Sequence, residues 1–197
     1  MLTNWNKIIF SHEKKFYLDG PGGFSFYWHD LRQDKMILSK STFGGGSLMA
    51  WASIIAHGKS EFVFINDRLN SEKYQTILEN HLLPLISFRN DSDFIFKQDN
   101  APVHTARSTH KWFEQQHISV LEWPANSPDL NIIENVWGII SRDIYGQNKT
   151  YHSIPQLKEA ILRSWEKLDI NIIQNLYKSM PNRIYKLIEK KGRSIGY

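Results

Sequence analysis

Phe94-Ile95-Phe96-Lys97-Gln98-Asp99-Asn100-Ala101-Pro102 is an apolar, strand-like run that ends on a carboxylate and then turns. A carboxylate at the end of a buried strand lies where open α/β sheets place their sites. Asp-Asn-Ala-Pro is equally an ordinary turn sequence, so Asp99 alone decides nothing. The partner stretch is Ser127-Pro128-Asp129-Leu130-Asn131-Ile132-Ile133-Glu134-Asn135, in which Glu134 opens a helical pattern. The 34 residues 100–133 lie between the two carboxylates. A strand-end and a helix-borne carboxylate can converge on divalent metal, the arrangement used for phosphoryl transfer on nucleic acid. Glu134 has a plainer reading too. Asn131 would cap the helix and Glu134 would reach back to its N–H, as in a capping box. Pro128 and Asp129 alternatively suit a first helical turn after Ser127. A third carboxylate is expected from an earlier strand.

Outward from this pair, the chain alternates. Trp5 to Leu18 reads as a strand, with Ile8, Phe10 and His12 on one face and Ile9, Ser11 and Glu13 on the other. Asp19 to Gly23 is a turn, 24–29 a second strand and 30–43 a polar loop. Gly44-Gly45-Gly46 lacks a following Gly-Lys-Ser/Thr and is a flexible lead-in to a third strand, Ser47 to Ala56. His57-Gly58-Lys59 turns into Phe62 to Ile65. Ser71 to Ile86 has helical spacing with Ser71 as cap. Asp93 to Gln98 is a buried strand, Thr105 to Gln116 a helix and Ile118 to Glu122 a short strand. Asn131 to Tyr145, Ile154 to Leu168 and Ile170 to Lys191 read as closing helices, the last broken near Pro181. Strands, then strand–helix alternation, then helices predict a three-layer α/β domain with a mixed sheet.

The composition fits one globular domain. Of 197 residues, 41% are apolar and 13% aromatic, too many for a disordered chain. No apolar run approaches bilayer length, and no secretory signal opens the chain. The absence of Cys excludes disulfides, thiolate zinc sites and a Cys nucleophile. Trp112, Trp123, Trp137 and Trp165 read as core residues rather than base-stacking platforms. The net charge of +4 is concentrated at one end. Lys178, Arg183, Lys186, Lys190, Lys191 and Arg193 face a single acid, Glu189, over residues 178–197. Such a tail fits a polyanion such as DNA, or a solvated helix end whose cations suit the macrodipole.

Five ordered words carry a resemblance: Phe10-Ser11-His12-Glu13-Lys14-Lys15-Phe16, Gly44-Gly45-Gly46-Ser47-Leu48-Met49-Ala50-Trp51, Gln98-Asp99-Asn100-Ala101-Pro102-Val103-His104-Thr105, Trp123-Pro124-Ala125-Asn126-Ser127-Pro128-Asp129-Leu130-Asn131 and Ser179-Met180-Pro181-Asn182-Arg183-Ile184. Together they resemble the catalytic domain of Tc/mariner superfamily transposases, in the Tc branch, from about Trp5 to Tyr197. The resemblance implies an RNase H-like fold and cut-and-paste DNA chemistry by two divalent ions, normally Mg²⁺, with Asp99 and Glu134 as catalytic and metal-binding carboxylates. It implies double-stranded DNA as partner, no membrane, room for a homodimer, and work in the nucleus. Residues 1–197 then form one catalytic domain with a basic tail.

Three departures follow from the resemblance. His12 stands where the family has its first Asp, and Ile132 where it commonly has Pro. The bipartite helix-turn-helix region that precedes the family's catalytic domain has no counterpart here, so the expectation is a truncated enzyme. Imidazole supplies nitrogen where two Mg²⁺ ions want anionic oxygen, and suits Zn²⁺ or Mn²⁺ better. Glu13 faces the other side of the strand and could replace His12 only through a one-residue slip that exposes Ile8 and Phe10. Asp19 lies further on, near a turn. The other histidines form no ligand motif. His104, five residues after Asp99, is within reach of the site on sequence grounds, but the favoured reading is a polar residue at a helix start. The leading expectation is a transposase catalytic domain impaired at His12. The alternatives are a non-catalytic, transposase-derived DNA-binding or interaction protein, and a nuclease of the same fold that does not transpose.

Overall fold

The computed structural model describes residues 4–21, 45–87, 93–123 and 127–195. The expected strand at 24–29 and the loop at 30–43 lie outside the described residues. A 3₁₀ turn at Trp5–Lys7 leads into β1 (Ile8–Tyr17), followed by β2 (Ser47–Ile55), β3 (Gly58–Lys59) and β4 (Val63–Ile65). Helix α1 (Ser71–Ile77) runs through a π-helical segment, Leu78–Leu82, into α2 (Leu83–Ser87). Then come β5 (Ile95–Lys97), α3 (Arg107–Gln115), β6 (Ser119–Val120), α4 (Ile132–Tyr145), α5 (Ile154–Lys167) and α6 (Ile170–Glu189).

The sheet order is β3-β2-β1-β5-β6, with β4 also paired to β2. β1 is antiparallel to β2 and parallel to β5, and β5 is parallel to β6. The mixed sheet is therefore as expected. Its alternating side chains feed two cores. Ile8, Phe10, Ala50, Ala52 and Ile54 face α4, α5 and α6. Ile9, Trp51, Ile55 and Phe96 face α1, the π segment and α3. Helix α4 buries Ile132, Ile133, Val136, Trp137, Ile140 and Ile144, a stripe at helical spacing, onto the first face. The Tyr177 hydroxyl of α6 hydrogen-bonds the Ile8 and Ile54 carbonyls at 2.7 and 2.9 Å, fixing that helix across β1 and β2.

Four local expectations change. The cap of α1 is Asn70, whose Oδ1 accepts from Lys73 N at 2.8 Å, and not Ser71. Gly58–Lys59 is paired with Ile54 and Ile55 rather than being only a turn. Helix α3 starts at Arg107, because His104 and Thr105 belong to a turn hydrogen-bonded to the Ala101 carbonyl. Helix α6 runs unbroken through Pro181. The lost N–H is offset there by one buried face made of Ile173, Tyr177, Met180 and Arg183. Among the described residues, no helix is long and apolar enough to cross a membrane.

Candidate active site

Register builds the site. Phe10 of β1 pairs with Lys97 of the parallel strand β5, so two residues further on His12 and Asp99 come side by side. His12 Nε2 lies 3.8 Å from Asp99 Oδ2 and 3.9 Å from Glu134 Oε1. The first turn of α4 brings Glu134 there from above the sheet. The carboxylates are 41% and 35% exposed, so a substrate can reach them. The capping-box reading of Glu134 is not what forms. Asn131 precedes α4 without a side-chain cap bond, and its Oδ1 and Nδ2 are buried with no partner among the described residues. The Glu134 carboxylate points at His12 instead.

Behind this front lies a second set of contacts. Asp99 Oδ1 accepts from the backbone N of Ala101 at 2.9 Å and sits 2.6 Å from His104 Nδ1. His104 Nε2 is 3.1 Å from Glu13 Oε1. The His104 ring is 2% exposed and lies against Tyr74, centroids 4.2 Å apart. Tyr74 in turn donates to Gln98 Oε1 at 2.7 Å. Glu13 faces away from His12, as strand alternation requires, yet it reaches Asp99 through His104 without any slip of β1.

The electrostatics follow from these contacts. The His104 hydrogen bond, helped by Ala101 N–H and the nearby histidines, overcomes burial and holds Asp99 down at about 2. Burial alone would lower His104, but the bonds to Asp99 and Glu13 win and raise it to about 9. At neutral pH the ring is an imidazolium donating from both nitrogens. Lys97 is almost wholly buried beneath the site, its Nζ 5.4 Å from the Trp123 ring centroid. Burial lowers its pKa to about 8, against the pull of Asp99, Glu134 and Glu13.

The donor set decides what could bind. Among the described residues, Glu13, Asp99 and His104 form the one His/carboxylate group whose ligand atoms all lie within 4.8 Å. That group does not suit a single ion, because the two carboxylates take opposite nitrogens of one ring. The front set of His12, Asp99 and Glu134 is wider, with one nitrogen 3.8 and 3.9 Å from two partly exposed carboxylates. By donor chemistry alone, carboxylate oxygens suit divalent ions, and a nitrogen donor suits Mn²⁺ better than Mg²⁺.

Sequence reasoning placed His12, Asp99 and Glu134 in one cluster, and the structure brings them together. It weighed His104 and Glu13 but favoured plainer readings of both, and it missed Lys97. Lys97 carried a signal, since a lysine inside a buried strand needs a reason. Of the expected basic surface, Lys178, Lys190, Lys191 and Arg193 are exposed and Lys186 is half-buried. Arg183 is not part of it. Its side chain is buried, its Nη1 donates to the Asp129 carbonyl at 2.6 Å and its Nε to Ser179 Oγ at 2.9 Å.

Comparison with known proteins agrees with this geometry. The family described as DDE superfamily endonuclease matches residues 7–158. The Tc3 transposable element transposase of Caenorhabditis elegans is 44% identical over all of this chain, which spans 60% of that relative. The Tcb2 transposase of Caenorhabditis briggsae is 31% identical over 96% of this chain and 70% of its own length. In structure, the chain is similar to the Mos1 transposase paired-end complex with left transposon end, at a TM-score of 0.83 and 21% identity over 96% of this chain and 56% of that one. The Mos1 mariner transposase catalytic domain gives 0.76 and 19% identity, covering 98% of this chain and 86% of that one. These two show a shared RNase H-like fold.

Proposed function

The chain belongs to the DDE superfamily endonucleases, in the Tc branch of the Tc/mariner transposases, and from that premise we propose a metal-dependent DNA strand-cleavage and strand-transfer site built on Asp99 and Glu134 and weakened by His12. The observation that carries this reading is the position of His12 Nε2 between the two carboxylates, at 3.8 and 3.9 Å. A divalent ion there would activate water, then a freed 3′-OH, and neutralise the attacked phosphate.

The chain's own residues divide the remaining tasks. Asp99 presents Oδ2 outward while Oδ1 stays bonded to Ala101 N and His104. Glu134 presents its carboxylate from a helix anchored by a buried apolar stripe, so neither group must reorganise on binding. Lys97 keeps positive charge under the carboxylates, which eases their mutual repulsion. The imidazole of His12 replaces an anionic ligand, which lowers the site's affinity for Mg²⁺ more than for Mn²⁺. Exposed Lys178, Lys190, Lys191 and Arg193, with Lys186, offer phosphate contacts to duplex DNA. A site that acts on chromosomal DNA would work in the nucleus.

Nicking of supercoiled plasmid tests the reading. Mn²⁺ should support measurable nicking, and both Asp99→Asn and Glu134→Gln should abolish it. Nicking that survives both substitutions would remove the activity from this site.

A further inference from the structure

We propose that His104 is a positioning residue that aims the Asp99 carboxylate, with Glu13 holding the ring from behind. This deepens the metal-dependent reading and rests on it. The sheet gives the idea its geometry. His12 and Glu13 are consecutive on β1 and face opposite sides, yet both end at Asp99. His12 approaches Asp99 Oδ2 directly, at 3.8 Å. Glu13 reaches Asp99 Oδ1 through the imidazole of His104, across contacts of 3.1 and 2.6 Å. Asp99 is thus gripped on one oxygen and left open on the other.

Three observations favour an aiming role over general packing. Asp99 Oδ1 is already engaged by Ala101 N–H, so His104 adds a second donor to the same oxygen and leaves Oδ2 for a ligand. The ring cannot rotate out of this pose. It lies on Tyr74, is 2% exposed, and both nitrogens are engaged. Its own backbone is tied in as well, since the His104 carbonyl accepts from Gln98 Nε2 at 3.3 Å, next door to Asp99. Hydrogen-bond partners that orient a metal-binding group commonly change metal affinity by about 10- to 100-fold when removed.

The two ring nitrogens can be tested separately. An Asn amide nitrogen sits near the place of imidazole Nδ1 and keeps the donor to Asp99. A Gln amide nitrogen sits nearer Nε2 and keeps only the donor to Glu13. Mn²⁺ affinity is measured by electron paramagnetic resonance on His104→Asn, His104→Gln and His104→Ala, in the native chain and in the His12→Asp chain, with Tm of each metal-free protein alongside. The expected result is a loss of about 10- to 100-fold in Mn²⁺ affinity for Gln and Ala, with Asn close to its parent, even where Asn and Gln lose equal Tm. Equal affinity of the Asn and Gln variants, or native affinity in the Ala variant, would overturn the aiming role while leaving the metal reading intact. Absence of Mn²⁺ binding in both parent chains would overturn the metal reading, and the aiming role with it.

Discussion

At the residue scale, two buried cations set opposite dependences on pH. His104 is raised from 6.5 to about 9, so its contribution to folding is complete below about 6.5 and is lost as pH rises through 9. Asp99 is lowered from 3.8 to about 2, so its contribution is present above about 4 and is lost as pH falls through 2. In EDTA, the Tm gap between the native chain and His104→Ala should therefore be widest from about pH 4 to 6.5 and should close towards pH 10. A gap independent of pH would contradict the ion-paired ring. Lys97 behaves in the opposite way. A base whose pKa falls to about 8 on burial costs stability below that pH, and the cost fades between 8 and 10.5. Lys97→Met should raise Tm at pH 7 by more than at pH 10, as scanning calorimetry would record. A lower Tm at pH 7 would mean that the carboxylates around Lys97 outweigh its desolvation. Asp99 follows a strand and Glu134 opens a helix, where local pattern is strong, whereas His12 lies within β1 and stood out only through the resemblance. The His104–Glu13 contact spans 91 positions and depends on how the turn after β5 closes, which no local periodicity encodes.

At the element scale, the site depends on a clasp remote from the carboxylates. The 3₁₀ turn Pro128–Leu130 immediately precedes α4, which carries Glu134. Asp129 within that turn accepts from Ser194 Oγ at 2.7 Å and Ile195 N at 2.8 Å through Oδ2, and its carbonyl accepts from buried Arg183. The C-terminal helix and the chain after it thus hold the entry to α4. Arg183→Met should cost about 2–3 kcal/mol in urea unfolding, because it removes charged hydrogen bonds made by a buried guanidinium. A loss under about 0.5 kcal/mol would show that the turn holds itself. Sequence located α6 but expected a break at Pro181, since a proline rule is local. The side chains that keep the helix whole, Tyr177 on β1 and β2 and Arg183 on Asp129, are tertiary. Arg183 misled for the same reason, because it looked like one more cation in a basic tail.

At the scale of the whole molecule, a mixed sheet flanked by helices was legible because apolar alternation and helical stripes repeat over many residues, whereas the strand order β3-β2-β1-β5-β6 rests on pairings between distant segments that no local pattern encodes. Charge asymmetry was legible too, and it makes a separable claim about DNA. Replacing Lys186, Lys190, Lys191 and Arg193 by Gln should weaken duplex binding and flatten its salt slope by up to about 4, near one unit for each phosphate no longer neutralised. An unchanged slope in fluorescence anisotropy would return this segment to a solvated helix end. The central claim is that His12 stands in the place of a missing metal-binding carboxylate. The most direct measurement is Mg²⁺-dependent nicking of supercoiled plasmid by the native chain and by His12→Asp. The expected result is little or no Mg²⁺ nicking by the native chain and a gain on the order of 100-fold or more in the variant. Robust Mg²⁺ nicking by the native chain, or no gain on restoring the carboxylate, would contradict it.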